Sequence, residues 1–271
     1  MNIIERPKVL WRKFYYSRHL PRHTFRHEDF DNTDVGDWIT RGITGYQQWY
    51  QHVDFGNGIV AHVTSPPDWA PNPALNASSG MDRFNFIIKR NLPDVSGMRV
   101  LDLGCNVGLY SLALARLGAR EVIGVDRDIS IRQRTGRLPC VDLISQAEFV
   151  RTAFEIRENR KFSVSYRAID FQNLVQLRSL GKFDLIIALN VVYHELDRAP
   201  SLLETLGRMT DDLVLQSSVV HPSPIREWAM PSKTAEMLIS AGFDKITIDS
   251  PSDWLQPIIR GVRSTTTRKE Q

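Results

Sequence analysis

From residue 98 to the end of the chain, short apolar runs alternate with amphipathic stretches, and few architectures accept that alternation. The runs "MRVLDLG", "EVIGVD" (121–126), "FSVSYRAID" (162–170), "FDLIIALN" (183–190) and "DLVLQSS" (212–218) read as strands. "GLYSLALARLGA", "VDLISQAEFVRTAFEIRE" (141–158), "APSLLETLGRM" and "SKTAEMLISAG" (232–242) read as helices, and "KITIDS" and "QPIIRGVR" as two last strands. "FDLIIALN" is apolar on both faces, as a strand buried from both sides must be. Strands regularly interrupted by helices imply an α/β fold with a largely parallel sheet and helices on both faces.

The first third reads differently. "MDRFNFIIKRNL" (81–92) has helical apolar spacing at Met81, Phe84, Ile87, Ile88 and Leu92. "HVDF" and "IVAHV" flank "GNG", a hairpin signal. Residues 64–80 carry the proline and small polar residues of a loop. Residues 1–80 therefore read as an N-terminal arm and lid, 81–265 as the main domain and 266–271 as a tail. The net charge of +3 is unevenly spread: residues 1–28 hold seven Arg or Lys and two Glu, which makes +5, and the remainder is −2. Trp11, Phe14, Tyr15, Tyr16 and Phe25 lie among those cations, a mixture that suits packing on the main domain or nucleic-acid contact.

No apolar run is long enough for a membrane span, and the N-terminus lacks the apolar core of a secretory signal. Cys105 and Cys140 form neither a metal-ligand nor a disulfide pattern. A cytoplasmic protein without a resident metal is expected.

The chemistry is concentrated in "VLDLGCNVG" (100–108), a strand and its turn. Gly104 and Gly108 permit positive φ and leave room for a ligand near the main chain, and Asn106 tolerates left-handed torsions between them. Cys105 suits close packing. A dinucleotide site would bring a pyrophosphate here and would want G-x-G-x-x-G, whereas this turn reads G-C-N-V-G-L-Y-S behind a carboxylate, Asp102. Asp102 suits a cation. Asp126 ends the second strand 22 residues after Gly104, where an acid can accept both hydroxyls of a ribose. Asp170 can take a hydrogen bond from an adenine amino group, and Phe171 can cover the ring. A ribose, an adenine and a positive charge without phosphates describe S-adenosylmethionine.

On these residues the chain resembles the class I S-adenosylmethionine-dependent methyltransferases over about residues 81–263, through "VLDLGCNVG", "VIGVD", "AIDF" and "FDLIIALNVVYHELD". The resemblance implies a Rossmann-like seven-stranded sheet whose last hairpin is antiparallel. A narrower resemblance, through "MDRFNFIIKRNLPDVSGMRVLDLGC", "NVVYHELDRAPSLL" and "MPSKTAEMLISAGF", is to the bacterial tRNA wobble-uridine carboxymethyltransferases. Those enzymes hold a carboxylated donor partly with a lysine, and Gly80 stands at that position here. Loss of such a charge-assisted contact costs about 1.5–3 kcal/mol, so plain methyl transfer is expected. Tyr193 matches the family tyrosine that faces the transferred group, and Arg260 matches a C-terminal arginine.

"NVVYHELD" (190–197) follows the fourth strand and should lie at the methyl group. Asn190 is assigned to the cofactor. His194 is the candidate base for an acceptor hydroxyl, and Tyr193 lines the acceptor pocket or steadies the donor. Trp49, Tyr50 and His52 in the lid, with His221 and Arg260, are the candidate acceptor contacts. The leading reading is an O- or N-methyltransferase acting on a small molecule, as in secondary metabolism. A tRNA-modifying methyltransferase is the alternative, and a binder of S-adenosylmethionine without activity is a third.

Overall fold

A computed structural model of the chain describes residues 35–46, 49, 51–63, 80–127, 143–219, 225–251 and 256–264. Tyr50, Cys140, His221 and the basic stretch 1–28 lie outside the described residues. Helix α1 (Val35–Gly45) is followed by the hairpin β1 (Val53–Asp54) and β2 (Val60–Ala61). Between them Gly56, Asn57 and Gly58 all have positive φ, which is what the "GNG" signal requires. A helical segment, α2 (80–91), runs through α, π and 3-10 turns into the main sheet.

The chain then alternates β3 (Arg99–Leu103), α3 (Leu109–Arg116), β4 (Glu121–Asp126), α4 (Leu143–Arg157), β5 (Val164–Ala168), α5 (Leu174–Arg178) and β6 (Leu185–Ala188). A 3-10 segment (Val192–Arg198) leads into α6 (Ala199–Met209) and β7 (Asp212–Gln216). Helices α7 (Ile225–Ala229) and α8 (Pro231–Ser240) precede the hairpin β8 (Lys245–Asp249) and β9 (Ile258–Val262). The seven large strands lie in the order β5-β4-β3-β6-β7-β9-β8. All neighbours are parallel except β9, which is antiparallel to both β7 and β8. This is the sheet expected from the sequence, with the reversed final hairpin.

Alternation within each strand builds two cores. Val100, Val122, Val164, Leu185 and Val214 face α1 to α4, while Leu101, Leu103, Ile123, Val125, Ile186 and Leu213 face α5, α6 and α8. Burying a strand from both sides is why these runs are nearly continuous in apolar residues. The N-terminal segment shares the first core. Trp38, Tyr46, Trp49 and Phe55 close around Phe149 of α4, with ring centroids 4.9–6.3 Å away. At Gly42 a Cβ would meet the Phe149 ring at 2.2 Å, so only glycine lets α1 come this close.

The chain steps outward from β3 to β4 and β5, then returns to β6 on the other side of β3. Loops after β3 and β6 therefore diverge, and a cleft opens at the carboxyl ends of these strands. Among the described residues, no helix is long and apolar enough to cross a membrane.

Candidate active site

The turn after β3 is pinned to the end of β4. The Gly104 and Cys105 amides donate to the Val125 carbonyl at 2.7 and 3.1 Å, and the Gly108 amide donates to the Cys105 carbonyl at 2.8 Å. Gly104, Asn106 and Gly108 all have positive φ, as expected. A side chain at either glycine would be blocked. A Cβ at Gly104 would meet Val191 Cγ2 at 2.1 Å, and one at Gly108 would meet the Tyr166 hydroxyl at 2.2 Å. Protein atoms occupy the side of each glycine on which a Cβ would lie. Asn106 Oδ1 accepts the Val107 amide at 2.8 Å, and Cys105 is buried.

Asp126 faces this turn and remains partly exposed. Its Oδ2 accepts the Asn106 amide and its Oδ1 the Arg127 amide, each at 2.8 Å. An ionised carboxylate offers about four acceptor positions, so each oxygen keeps one to spare. Burial raises its pKa to about 6 against the pull of those two amides and of the Arg127 charge. Asp102 is 1% exposed and accepts the Ser111 hydroxyl at 2.6 Å. Burial raises it to about 7, Ser111 opposes the rise, and the Asp126 charge adds to it. Both carboxyls therefore sit in surroundings that would gain from a nearby positive charge.

Sequence reasoning missed Ser111. The signal was a hydroxyl on the otherwise apolar face of "LYSLALA". It also missed Arg127, the residue after β4, which ties together groups from three segments. The guanidinium pairs with buried Glu195 from the 3-10 segment, lies 3.3 Å from Asp170 Oδ1 and rests 5.0 Å over the Phe171 ring. Gln172 Nε2 donates to the other Glu195 oxygen at 3.3 Å. Asp170 is exposed. Phe171 is 6% exposed, packed against that guanidinium.

After β6, Asn190 has φ 58° and accepts the Tyr193 hydroxyl at 2.8 Å. Tyr193 is buried, and burial drives its pKa upward, so the phenol stays protonated and acts as a donor. His194 is exposed, with its ring 4.6 Å from that of Tyr193 and its amide bonded to the Val191 carbonyl at 3.0 Å. Leu196, two residues on, holds φ 51° and ψ −124° inside the 3-10 segment, a strained setting for a branched side chain.

Two expected acceptor contacts are corrected. Trp49 is 2% exposed within the aromatic cluster on α4, so it is a core residue and not part of a lid face. Arg260 reaches along β9 toward the amino end of β7 and grips Asp212 through two hydrogen bonds of 2.9 and 2.6 Å. That is the end of the sheet opposite the cleft. His52 packs edge-on against His62 at 5.1 Å across the β1–β2 hairpin. Among the described residues, no group of three or more His, Cys, Asp or Glu could hold a metal ion.

The chain is 28% identical over 129 residues to the mitochondrial ubiquinone biosynthesis O-methyltransferase of Dictyostelium discoideum, covering 46% of this chain and 36% of the relative. It is 25% identical over 210 residues to the tRNA U34 carboxymethyltransferase of Actinobacillus succinogenes, covering 74% of this chain and 56% of the relative. It thus spans less than two thirds of the length of either. The solved N-terminal domain of EvdMO1 with SAH bound superimposes with a TM-score of 0.60 at 18% identity, over 86% of this chain and 98% of that one. A family model described as a methyltransferase domain matches residues 79–243, from before α2 to beyond α8 and more than half of the chain, and the protein belongs to that family.

Proposed function

We propose that this protein transfers a methyl group from S-adenosylmethionine to an oxygen or nitrogen atom of a small-molecule acceptor. The observation that carries the reading is Asp126, held at the carboxyl end of β4 by two amides with one acceptor position free on each oxygen. Those positions suit the two hydroxyls of a ribose. The adjoining Asp102 field suits a positive charge, and a phosphate would be repelled by both. Two solved structures that share this fold hold such a ligand: the N-terminal domain of EvdMO1 with SAH and the magnesium protoporphyrin IX methyltransferase of Synechocystis PCC 6803 with SAM.

When bound, S-adenosylmethionine supplies a methyl group already activated by its sulfonium. The protein's part is alignment and exclusion of water. Asp126 would fix the nucleoside, and Arg127 would offer its guanidinium face to the adenine while Asp170 accepts from the amino group. The Asn190–Tyr193 pair would wall the methyl end. His194, exposed in the segment after β6, would accept the proton of an acceptor hydroxyl. Gly80, at the start of α2, offers no charge to a carboxylated donor, which favours plain methyl transfer.

A specific observation keeps the second reading alive: the similarity to the tRNA U34 carboxymethyltransferase runs over 210 residues. Label from methyl-tritiated S-adenosylmethionine, followed in an extract fractionated into metabolites and tRNA, separates the two. Transfer into metabolites, abolished in His194→Ala while donor affinity is kept, is the expected result. Transfer into tRNA, with steep salt dependence, would replace the small-molecule reading. Full turnover in His194→Ala would remove the base assignment.

A further inference from the structure

Two opposite charges meet where the segments after β4 and β6 come together. Glu195 lies in the 3-10 segment after β6, and its side chain is only 4% exposed. A carboxylate so buried is costly unless it is paired and hydrogen-bonded. Arg127 supplies the pair, and Gln172 Nε2 donates the second bond at 3.3 Å. The guanidinium is turned toward Glu195 rather than Asp170. Asp170 Oδ1 lies 3.3 Å from Arg127 Nε, yet among the described residues the Nε proton has no aligned acceptor.

Arg127 is held from the other side as well. Its amide donates to Asp126 Oδ1, and Asp126 Oδ2 accepts the Asn106 amide, each at 2.8 Å. A continuous chain of bonds therefore runs from the turn after β3, through Asp126 and Arg127, to Glu195. Glu195 stands between His194 and Leu196. Leu196 holds φ 51° and ψ −124°, a conformation that persists only where its surroundings impose it. The Arg127–Glu195 pair is the buried constraint next to that residue.

We propose that Glu195, acting through Arg127, is a positioning residue that couples donor occupancy at Asp126 to the placement of His194. The inference rests on the reading of S-adenosylmethionine as donor and of His194 as base. With the pair intact, the 3-10 segment keeps its strained turn and His194 keeps its place. With the pair broken, Leu196 relaxes to an ordinary torsion and carries His194 with it. A nucleoside that engages Asp126 and Arg127 withdraws both from water. The Arg127–Glu195 attraction then strengthens, because charges interact more strongly at lower dielectric. The coupling is reciprocal, so the placed segment favours the donor by the same factor.

Amide hydrogen exchange of residues 191–198, with and without saturating S-adenosylhomocysteine, tests this. In wild type the ligand should slow exchange there by about tenfold, the scale of one charge-assisted hydrogen bond. Glu195→Gln should lose that slowing, and Glu195→Asp should keep part of it. Calorimetry should show S-adenosylhomocysteine binding to Glu195→Gln weakened by no more than the same factor, so the site still fills. The carbon-13 signal of the His194 imidazole, assigned by its loss in His194→Ala, should move on ligand addition in wild type and stay put in Glu195→Gln. If Glu195→Gln does not fold, Gln172→Met, which removes only the second Glu195 bond, should show a smaller loss of slowing. The proposal is wrong if the filled variant slows exchange as wild type does, or if filled wild type shows no slowing. Wild type that fails to bind S-adenosylhomocysteine would instead overturn the donor reading.

Discussion

Asp102 and Asp126 do different work from neighbouring strands. Asp126 faces the cleft with acceptor positions to spare, while Asp102 acts from behind Ser111. Asp126→Ala should weaken S-adenosylhomocysteine binding by about 1–3 kcal/mol, because the ribose hydroxyls lose their acceptor. Unchanged affinity by calorimetry would contradict the assignment. Asp102 makes a pH-dependent prediction. Its carboxyl titrates near 7 in the fold against an ordinary value of 3.8. Between about pH 4 and 7 the folded protein therefore keeps a proton that the unfolded chain has released, so stability falls as pH rises through that window. Asp126 adds a similar fall that ends near pH 6. Asp102→Asn should flatten the urea-unfolding stability curve most clearly between pH 6 and 7. In the same interval a cationic ligand should drive proton release from wild type and much less from Asp102→Asn, measurable by calorimetry in buffers of different ionisation enthalpy.

Elements were legible in the sequence where one periodicity governed them. The apolar-both-faces run in "FDLIIALN" became β6, and Gly-Asn-Gly became the β1–β2 turn. The cleft loops were legible only in part. Residues at strand ends, such as Asp126, are fixed by the strand itself. Their partners are not: Ser111 meets Asp102 through the tilt of α3, and Arg260 meets Asp212 through an antiparallel register that spacing does not encode. Trp49 misled because an aromatic in a polar stretch looks the same whether it caps a ligand or a neighbouring helix. The turn after β3 offers a test at this scale. Gly104→Ala should destabilise by about 2–4 kcal/mol, combining a left-handed torsion with a clash against Val191. Adding Val191→Ala should recover the clash but not the torsion, as read from urea midpoints.

Over the whole molecule, the sheet separates two apolar layers and leaves its cleft where the chain crosses back from β5 to β6 past β3. A ligand that bridges β3, β4 and β6 there ties both halves of the sheet together. S-adenosylhomocysteine at a hundredfold over its Kd should add about 2.7 kcal/mol and raise the melting temperature by about 5–10 °C. NAD, which brings a diphosphate to two carboxylates, should leave it unmoved. Equal stabilisation by NAD would reverse the choice of ligand. The aromatic cluster on α4 bears on how this protein can be handled. A version trimmed to begin at residue 79 would retain every strand of the large sheet and every cleft residue named above. It would also strip Phe149 and Phe154 of α1 and the Phe55 ring that stacks on Phe154 at 5.6 Å. Such a fragment should scatter light and precipitate on expression, whereas one starting at residue 35 should stay monodisperse.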